Sequence, residues 1–430
     1  MADEERHLVV LIEGSRAGVV TMGADGRFTL TYDERWRATR NATPLSLSMP
    51  LTRSVHDDRP VHAFLWGLLP DNERVLERWA QTYHVSPRNP FALLRHVGED
   101  CAGAAQFVMP ERVNAIMEGE GGVRWMDEDE VTERLGILRR DPAAWHVHDT
   151  GQFSLAGAQA KTALYYDPER SRWGEPWGAV PTTHILKPAV VGLDDHDLNE
   201  HLCLRAAGVL GLPVANSRIV SFGPERVVVV ERYDRRRTPN GDVTRIHQED
   251  MCQALGVPPM AKYQNESGPT PEQIIELLRS RGGREADRGV DRFVDALAFN
   301  WIIGGTDAHA KNYSLLLAGP QVRLAALYDI ASALVYDGMY LPRLKMAMKI
   351  GGEYGVERVA GRHWRRFAVA NGLAVEPMLS RLDHLAARAP EAFASAAKTD
   401  AVDGLASTLP GRLVAAVTAR AARCREALWQ

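Results

Sequence analysis

Near the start of the chain, apolar residues alternate or run together over residues 8–12, 17–22 and 28–32, broken by E-G-S at 13–15 and G-A-D-G at 23–26. Alternation bounded by Gly and Asp predicts strands joined by tight turns, so a small β unit opens the chain. From Val61 the spacing changes to threes and fours, through Phe64, Leu68, Val75, Trp79, Phe91, Leu94 and Val97, with Pro70 and Pro87 as breaks. That period predicts helices. M-E-G-E-G-G at 117–122 reads as a linker, and the acids at 127–130 as the first turn of a following helix. A second strand-rich stretch is predicted over 153–231, around a helix at about 198–210, and it ends in the wholly apolar run Val227, Val228, Val229, Val230. Beyond Asp234 the spacing predicts helices to the end, among them 272–279, 290–303 and 378–389. The expected class is α+β, with a strand-rich N-terminal part and an all-helical C-terminal lobe.

Composition narrows this picture only a little. With 430 residues, 45% hydrophobic and 25% charged, the chain is of ordinary globular make-up and long enough for two or three domains. A net charge of −4 excludes a basic surface over the whole molecule, so any nucleic-acid contact must come from a local patch or a partner. The four cysteines, Cys101, Cys203, Cys252 and Cys424, lack C-x-x-C spacing and read as buried thiols of a reducing compartment. The N-terminal residues are acidic, with no apolar run of signal-peptide or membrane-span length, and the expectation is a cytoplasmic protein.

The chemistry concentrates in F-N-W-I-I-G-G-T-D-A-H-A-K-N-Y-S, residues 299–314. Asp307 and Asn312 stand five positions apart, and Asp329 follows in A-L-Y-D-I. Protein kinases use this polar skeleton: an Asp that accepts the substrate hydroxyl proton, an Asn five residues on that holds one magnesium, and a second Asp that holds another. Magnesium takes hard oxygen ligands, so one carboxylate and one amide oxygen serve when phosphate oxygens complete its shell. A polar loop with turn chemistry is the plainer alternative. Lys311 is placed to neutralise a transferring phosphate, and His309 to brace the loop. Metal-dependent phosphoester chemistry at His309 would need more converging ligands, and His146 and His148 sit apart from it.

S-L-A-G-A-Q-A-K-T-A-L, residues 154–164, places Gly157 four before Lys161 between apolar flanks. Its backbone N–H groups would suit a phosphate nest, although the pattern lacks the second Gly of a Walker A loop, and a plain β-turn also accommodates it. Lys187 ends the strand-like T-H-I-L-K; in kinases a strand lysine pairs the nucleotide's phosphates and is oriented by a helical Glu, for which Glu200 is the candidate here. Glu231, Arg232 and Tyr233 follow the apolar strand where a kinase has its hinge. Gln248, Glu249 and Asp250 read as an acidic helix N-terminus. Arg358, Arg362, Arg365 and Arg366 gather around His363 and Trp364, as a solvated helical face or as a nucleic-acid contact.

Taken in order, these segments resemble the HipA family of bacterial toxin–antitoxin kinases over nearly the whole chain. The matching motifs are L-L-P-D-N-E-R (68–74), G-E-D-C-A-G-A (98–104), S-L-A-G-A-Q-A-K-T-A-L (154–164), T-H-I-L-K (183–187), V-E-R-Y-D-R-R (230–236), Q-E-D-M-C-Q (248–253), G-T-D-A-H-A-K-N-Y-S (305–314) and Y-D-I (328–330). The resemblance implies a two-lobed protein-kinase-like fold, divided as an N-terminal subdomain at 1–110, an N-lobe core at 150–237 and a C-lobe at 238–430. It implies ATP and Mg2+ as cofactors, Asp307 as catalytic base, and Asn312 and Asp329 as metal ligands. Nucleotide contacts would come from Ala156, Gly157, Ala158, Gln159, Ala160, Lys161, Lys187, Glu231, Arg232, Tyr233, His309, Ala310 and Lys311, and Ser154 would be an autophosphorylated serine that ejects its loop.

The resemblance further implies a HipB-like helix-turn-helix antitoxin, operator DNA reached through that complex, with Arg358 and Arg362 as candidate contacts, and a translation target such as glutamyl-tRNA synthetase or another aminoacyl-tRNA synthetase. His247 and Tyr233 stand where the family pattern has Pro and Phe; a hinge that works through its backbone tolerates the second change. Two other readings use the same residues: a corepressor with little kinase activity, and a small-molecule phosphotransferase. Intact Asp307, Asn312, Asp329 and Lys187 argue against the first, and the N-terminal subdomain against the second.

Overall fold

Residues 6–145, 153–190 and 192–430 are described by the computed structural model. They form two compact units, one of residues up to 188 with 221–260 and 315–321, the other of 189–220, 261–314 and 322–430.

The first unit opens with a five-stranded antiparallel sheet in the spatial order Val55–His56, Phe28–Tyr32, Ser15–Met22, His7–Ile12, Ala105–Val108. Successive side chains of a strand face opposite ways. Leu8, Val10 and Ile12 therefore enter a core with Phe64, Leu68, Phe91, Leu94 and Phe107, while Val9 and Leu11 pack with Val108, Val113 and Ile116 on the other face. The predicted helices are present at Asp58–Leu68, Glu73–Tyr83 and Pro90–Val97. Asn72 and Asn89 cap the second and third by accepting from Arg74 N and Ala92 N, replacing partners that a helix start leaves without bonds.

A second, six-stranded sheet runs in the order Ser217–Phe222, Glu225–Glu231, His184–Pro188, Thr162–Asp167, Arg172–Gly178, Gly121–Met126. Val227, Val228, Val229 and Val230 are all buried, so both faces of their strand are covered, as the unbroken apolar run predicts. The glycines at 121 and 122 do not serve as linker: they belong to the edge strand and pair with Gly178 and Trp177. A Cβ on Gly121 would stand 2.5 Å from Trp177 O, so Gly here permits close backbone approach. The next helix, Glu128–Arg140, carries the expected acidic first turn, with Asp127 and Glu130 forming a reciprocal capping box.

Helices dominate the second unit: His196–Val209, Pro271–Arg281, Ala286–Ile303, Gly361–Ala370, Val375–Ala397 and Leu409–Leu428. Phe299, Trp301, Ile302 and Ile303 are fully buried, and Trp301 meets Trp364 edge-on at 5.8 Å. The part beyond Asp234 is not all-helical, however. Short strands occur at Arg235–Arg237, Val243–Arg245, His247–Asp250, Ser314–Ala318, Gln321–Leu324, Lys345–Ile350 and Glu353–Gly355. In Lys345–Ile350, Met346, Ala347, Met348 and Ile350 are buried, with only Lys345 and Lys349 charged, a short apolar run whose period does not separate strand from helix.

Glu249 is likewise a strand residue and fully buried, while Asp250 alone caps the following Met251–Leu255 helix. All four cysteines are free and buried. Among the described residues no helix is long and apolar enough to cross a membrane.

Candidate active site

Helix Ala286–Ile303 ends at Gly304, whose φ of 64° reverses the chain, a conformation Gly adopts without strain. Gly305 N–H donates to Asn300 O at 2.8 Å, and a Cβ on Gly305 would lie 2.3 Å from Asn300 Oδ1. The chain thus leaves a rigid buried helix and presents Asp307 two residues later. Asp307's backbone carbonyl accepts from His309 N and from Asn312 Nδ2, both at 2.8 Å, which ties the two polar residues of the motif to each other across a five-residue gap. With its Nδ2 so committed, the Asn312 amide keeps Oδ1 as its acceptor group. The Asp307 side chain is 69% exposed. His309 and Lys311 are buried, and the His309 ring stands edge-on to Tyr263 at 4.9 Å, consistent with a bracing role.

Asp329 is held by independent ties. Leu327 N–H donates to Pro213 O, and Leu327 O accepts from Ala215 N, both at 2.8 Å. Tyr328 OH donates to Lys311 O at 2.6 Å and lies 2.7 Å from Ser314 Oγ, so the segment carrying Asp329 is bonded to the turn carrying Asn312. Asp329 itself has φ 56°, uncommon for a residue with a Cβ and tolerated best by Asp and Asn.

Downstream, Asn199 clasps Ser332 twice, through Nδ2 to Ser332 O at 2.8 Å and from Ser332 N to Oδ1 at 3.0 Å. Ser332 Oγ donates to Ile303 O at 2.6 Å. Asp307, Asp329, His196, Glu200, Asn300 and Tyr336 help to line a cavity of about 230 Å³. The Asp329 carboxylate and the Asn312 amide are hard oxygen donors of the kind magnesium takes, and their chemistry fits that ion.

In the first unit, Ser154 is fully buried: its Oγ donates to Leu68 O at 2.8 Å, and its N–H to Asp100 O at 2.9 Å. Gly157, with φ 106°, lies so close to Lys161 that a Cβ would sit 2.5 Å from its Nζ. Lys161 Nζ donates to Ala156 O at 2.5 Å and lies 4.9 Å from the Trp145 ring centroid. Asp71 N–H donates to Gly157 O at 3.1 Å, Asn72 Nδ2 reaches Ala158 O at 3.5 Å, and Gln159 Nε2 reaches Pro188 O at 3.4 Å. The L-L-P-D-N segment at 68–72 is thereby explained as the clamp on this loop. Ala160 packs partly buried against the neighbouring core. Lys187 is buried on the central strand, opposite Val228.

Of residues 231–233, Arg232 is committed throughout: its N–H donates to Thr183 O and its C=O accepts from Arg235 N. Its guanidinium enters a buried cluster of Arg232, Arg235 and Arg245 with Asp100 and Asp234. Burial alone would raise the Asp100 pKa, but Arg235, Arg232 and Arg245 with the Thr182 hydroxyl more than offset this and hold it below its ordinary value. Burial pushes Arg235 down to about 10. Asp100 also accepts from Thr182 N at 3.1 Å and Oγ1 at 2.6 Å, so the G-E-D-C-A-G-A segment fastens both the start of strand His184–Pro188 and, through Arg232 and Arg235, the segment that follows the apolar strand.

Arg358 pairs with Glu353 at 2.9 Å and Arg365 with Glu376 at 2.5 Å, while Trp364 is core rather than an exposed aromatic between the arginines. Arg362 is exposed on helix Gly361–Ala370. His146 and His148 lie outside the described residues. Reading by motif assigned no role to Tyr263, Tyr328, Asn199, Asp100 or Arg245, each of which acts on a site residue or its supports through a hydrogen bond or ion pair from elsewhere in the chain.

A mixed α/β fold with a glycine-turned loop over Lys161 in one unit, and Asp307, Asn312 and Asp329 gathered in the other, is the architecture that the resemblance to HipA-type kinases implies. Comparison with known proteins agrees. Residues 8–108 match the HipA N-terminal domain and residues 153–393 the HipA-like C-terminal domain. The chain is 37% identical to Y4mE of Sinorhizobium fredii, over 90% of this chain and 91% of that protein. It is 31% identical to the serine/threonine-protein kinase toxin HipA of Shewanella oneidensis, over 85% and 83%. The structure of Shewanella oneidensis HipA with HipB and operator DNA superposes with a TM-score of 0.82 at 28% identity, covering 98% of this chain and 97% of that one. The chain belongs to the HipA family.

Proposed function

We propose that this protein transfers the γ-phosphate of ATP to a serine or threonine hydroxyl of a protein, and that it is the toxin of a toxin–antitoxin pair. The observation that carries the reading is Asp307: an exposed carboxylate on a loop whose backbone is fixed by Asn312 and His309. In the transfer, the substrate oxygen bonds to the γ-phosphorus, its proton passes to Asp307, and the bond to the bridging oxygen breaks to release ADP. Asn312 and Asp329 would hold magnesium, which neutralises charge on the phosphate oxygens. Loop 156–161 with Lys187 would receive the phosphates, and the backbones of Glu231 and Tyr233 the adenine, since Arg232 is spent internally. His309, Ala310 and Lys311 would complete the phosphate side.

On this reading Ser154 is the autophosphorylation site that silences the enzyme. The target is an aminoacyl-tRNA synthetase or other translation component of the cytoplasm, and a HipB-like antitoxin neutralises the toxin and carries it onto operator DNA. The likeness to HipA in its HipB and DNA complex supports these partners. The three-part division at 1–110, 150–237 and 238–430 goes with the same reading. The test is a phosphoproteome taken after induction of the chain and of Asp307→Asn. New phosphoserine or phosphothreonine on a translation protein, absent with the variant, is expected; an unchanged phosphoproteome would overturn the proposal.

A further inference from the structure

Tyr263 lies 44 positions before Asp307, outside every motif read from the sequence, yet its hydroxyl donates to Asp307 Oδ1 at 2.5 Å. We propose that Tyr263 is a positioning residue for phosphoryl transfer, one that holds the Asp307 carboxylate so that Oδ2 faces the incoming hydroxyl. This rests on the reading of Asp307 as the base. An exposed aspartate has a soft, roughly two-fold torsion about its terminal bond, and a fixed backbone does not by itself decide where its oxygens point. Tyr263 supplies that constraint: its phenol occupies Oδ1, the oxygen 4.0 Å from His309 Nε2, and leaves the other oxygen as acceptor.

The loop bearing Tyr263 is anchored without help from the hydroxyl. Glu266 N and Gly268 N donate to Tyr263 O at 2.9 and 3.0 Å, and Ala310 N donates to Lys262 O at 3.2 Å. Gln264 Oε1 accepts from Lys349 N at 2.6 Å. The ring meets His309 edge-on, with an interplanar angle of 84°. Tyr263→Phe therefore keeps the loop and the ring contact and deletes the hydrogen bond to Asp307 Oδ1. A base held 1 Å off its working position can lose roughly 10²-fold in rate, and a restrained one that gains a free torsion loses less, roughly tenfold.

The experiment measures kcat and KM for ATP on the purified full chain with magnesium and γ-labelled ATP, using a degenerate serine-containing peptide library as acceptor. Wild type, Tyr263→Phe and Asp307→Asn are compared, with the melting temperature of each. The inference predicts that Tyr263→Phe lowers kcat about tenfold while KM for ATP and the melting temperature stay at wild-type values. A purely structural role would move the melting temperature and KM together and would overturn it, as would an unchanged or raised kcat beside an inactive Asp307→Asn. Transfer undiminished in Asp307→Asn, or absent in wild type, would instead remove the reading of Asp307 on which the inference stands.

Discussion

The substitution Glu249→Gln should change the pH dependence of stability in a defined direction. Glu249 is fully buried on strand His247–Asp250; Oε1 accepts from Leu47 N at 2.8 Å, and Oε2 has no hydrogen-bond partner among the described residues. Burial pushes its pKa up to about 8, against the smaller opposing effects of the Ser46 and Leu47 bonds, with Asp250 adding to the rise. A carboxyl whose folded pKa lies above its unfolded value is neutral in the fold and charged in the unfolded chain between the two. It therefore destabilises the fold progressively as pH rises from about 4.5 to about 8. At about 1.4 kcal/mol per pH unit, the interval from about 4.5 to about 8 gives an upper figure of about 5 kcal/mol.

A glutamine at this position is neutral at every pH, so the variant should melt close to wild type at pH 5 and several degrees above it at pH 9. Taking the difference between the two proteins removes the opposite trend from His247, which burial pushes down to about 4. Melting curves of both from pH 5 to 9 supply the measurement. A constant difference across that range would refute the reasoning.

Asp100→Asn should destabilise the first unit by about 3–5 kcal/mol, because it removes the buried carboxylate that Arg232, Arg235 and Arg245 share; a melting temperature within a degree of wild type would contradict this. Ser154 should acquire phosphate on incubation with ATP and magnesium, and only slowly, since its buried hydroxyl must first leave Leu68 O; mass spectrometry placing all phosphate elsewhere would count against it. Phosphate there adds about −1.5 to −2 charges, too many for that buried position, so the loop should become protease-sensitive on modification. Operator affinity of the antitoxin complex should lose roughly one unit of salt slope per contact in Arg358→Ala with Arg362→Ala; superimposable salt curves would return those arginines to a solvated face.

What sequence reading recovered was local. The strands at 7–32 show alternation, the helices at 58–97 show spacings of three and four, and Asp307 with Asn312 lies within one loop. What it passed over is long-range: Tyr263 reaches Asp307 over 44 positions and Asp100 reaches Arg235 over 135, and such pairs leave no period in the chain. Gly121 and Gly122 were misread because a glycine that admits a neighbouring backbone and a glycine that loosens a linker look alike until the partner strand is placed. Glu249 was misread because acids crowd both helix starts and strand ends, and burial alone separates them. The strand Lys345–Ile350 shows the same limit, since a mostly apolar run of six residues carries little weight between long helices.

The most direct test of the central claim is label from γ-labelled ATP incorporated into protein by the purified full chain with magnesium, compared with Asp307→Asn and Asp329→Asn. Label on serine or threonine with the wild type, lost by roughly 10²-fold or more in Asp307→Asn and abolished in Asp329→Asn, is the predicted result. Wild-type protein that transfers no phosphate, or an Asp307→Asn variant that transfers it undiminished, would contradict the account.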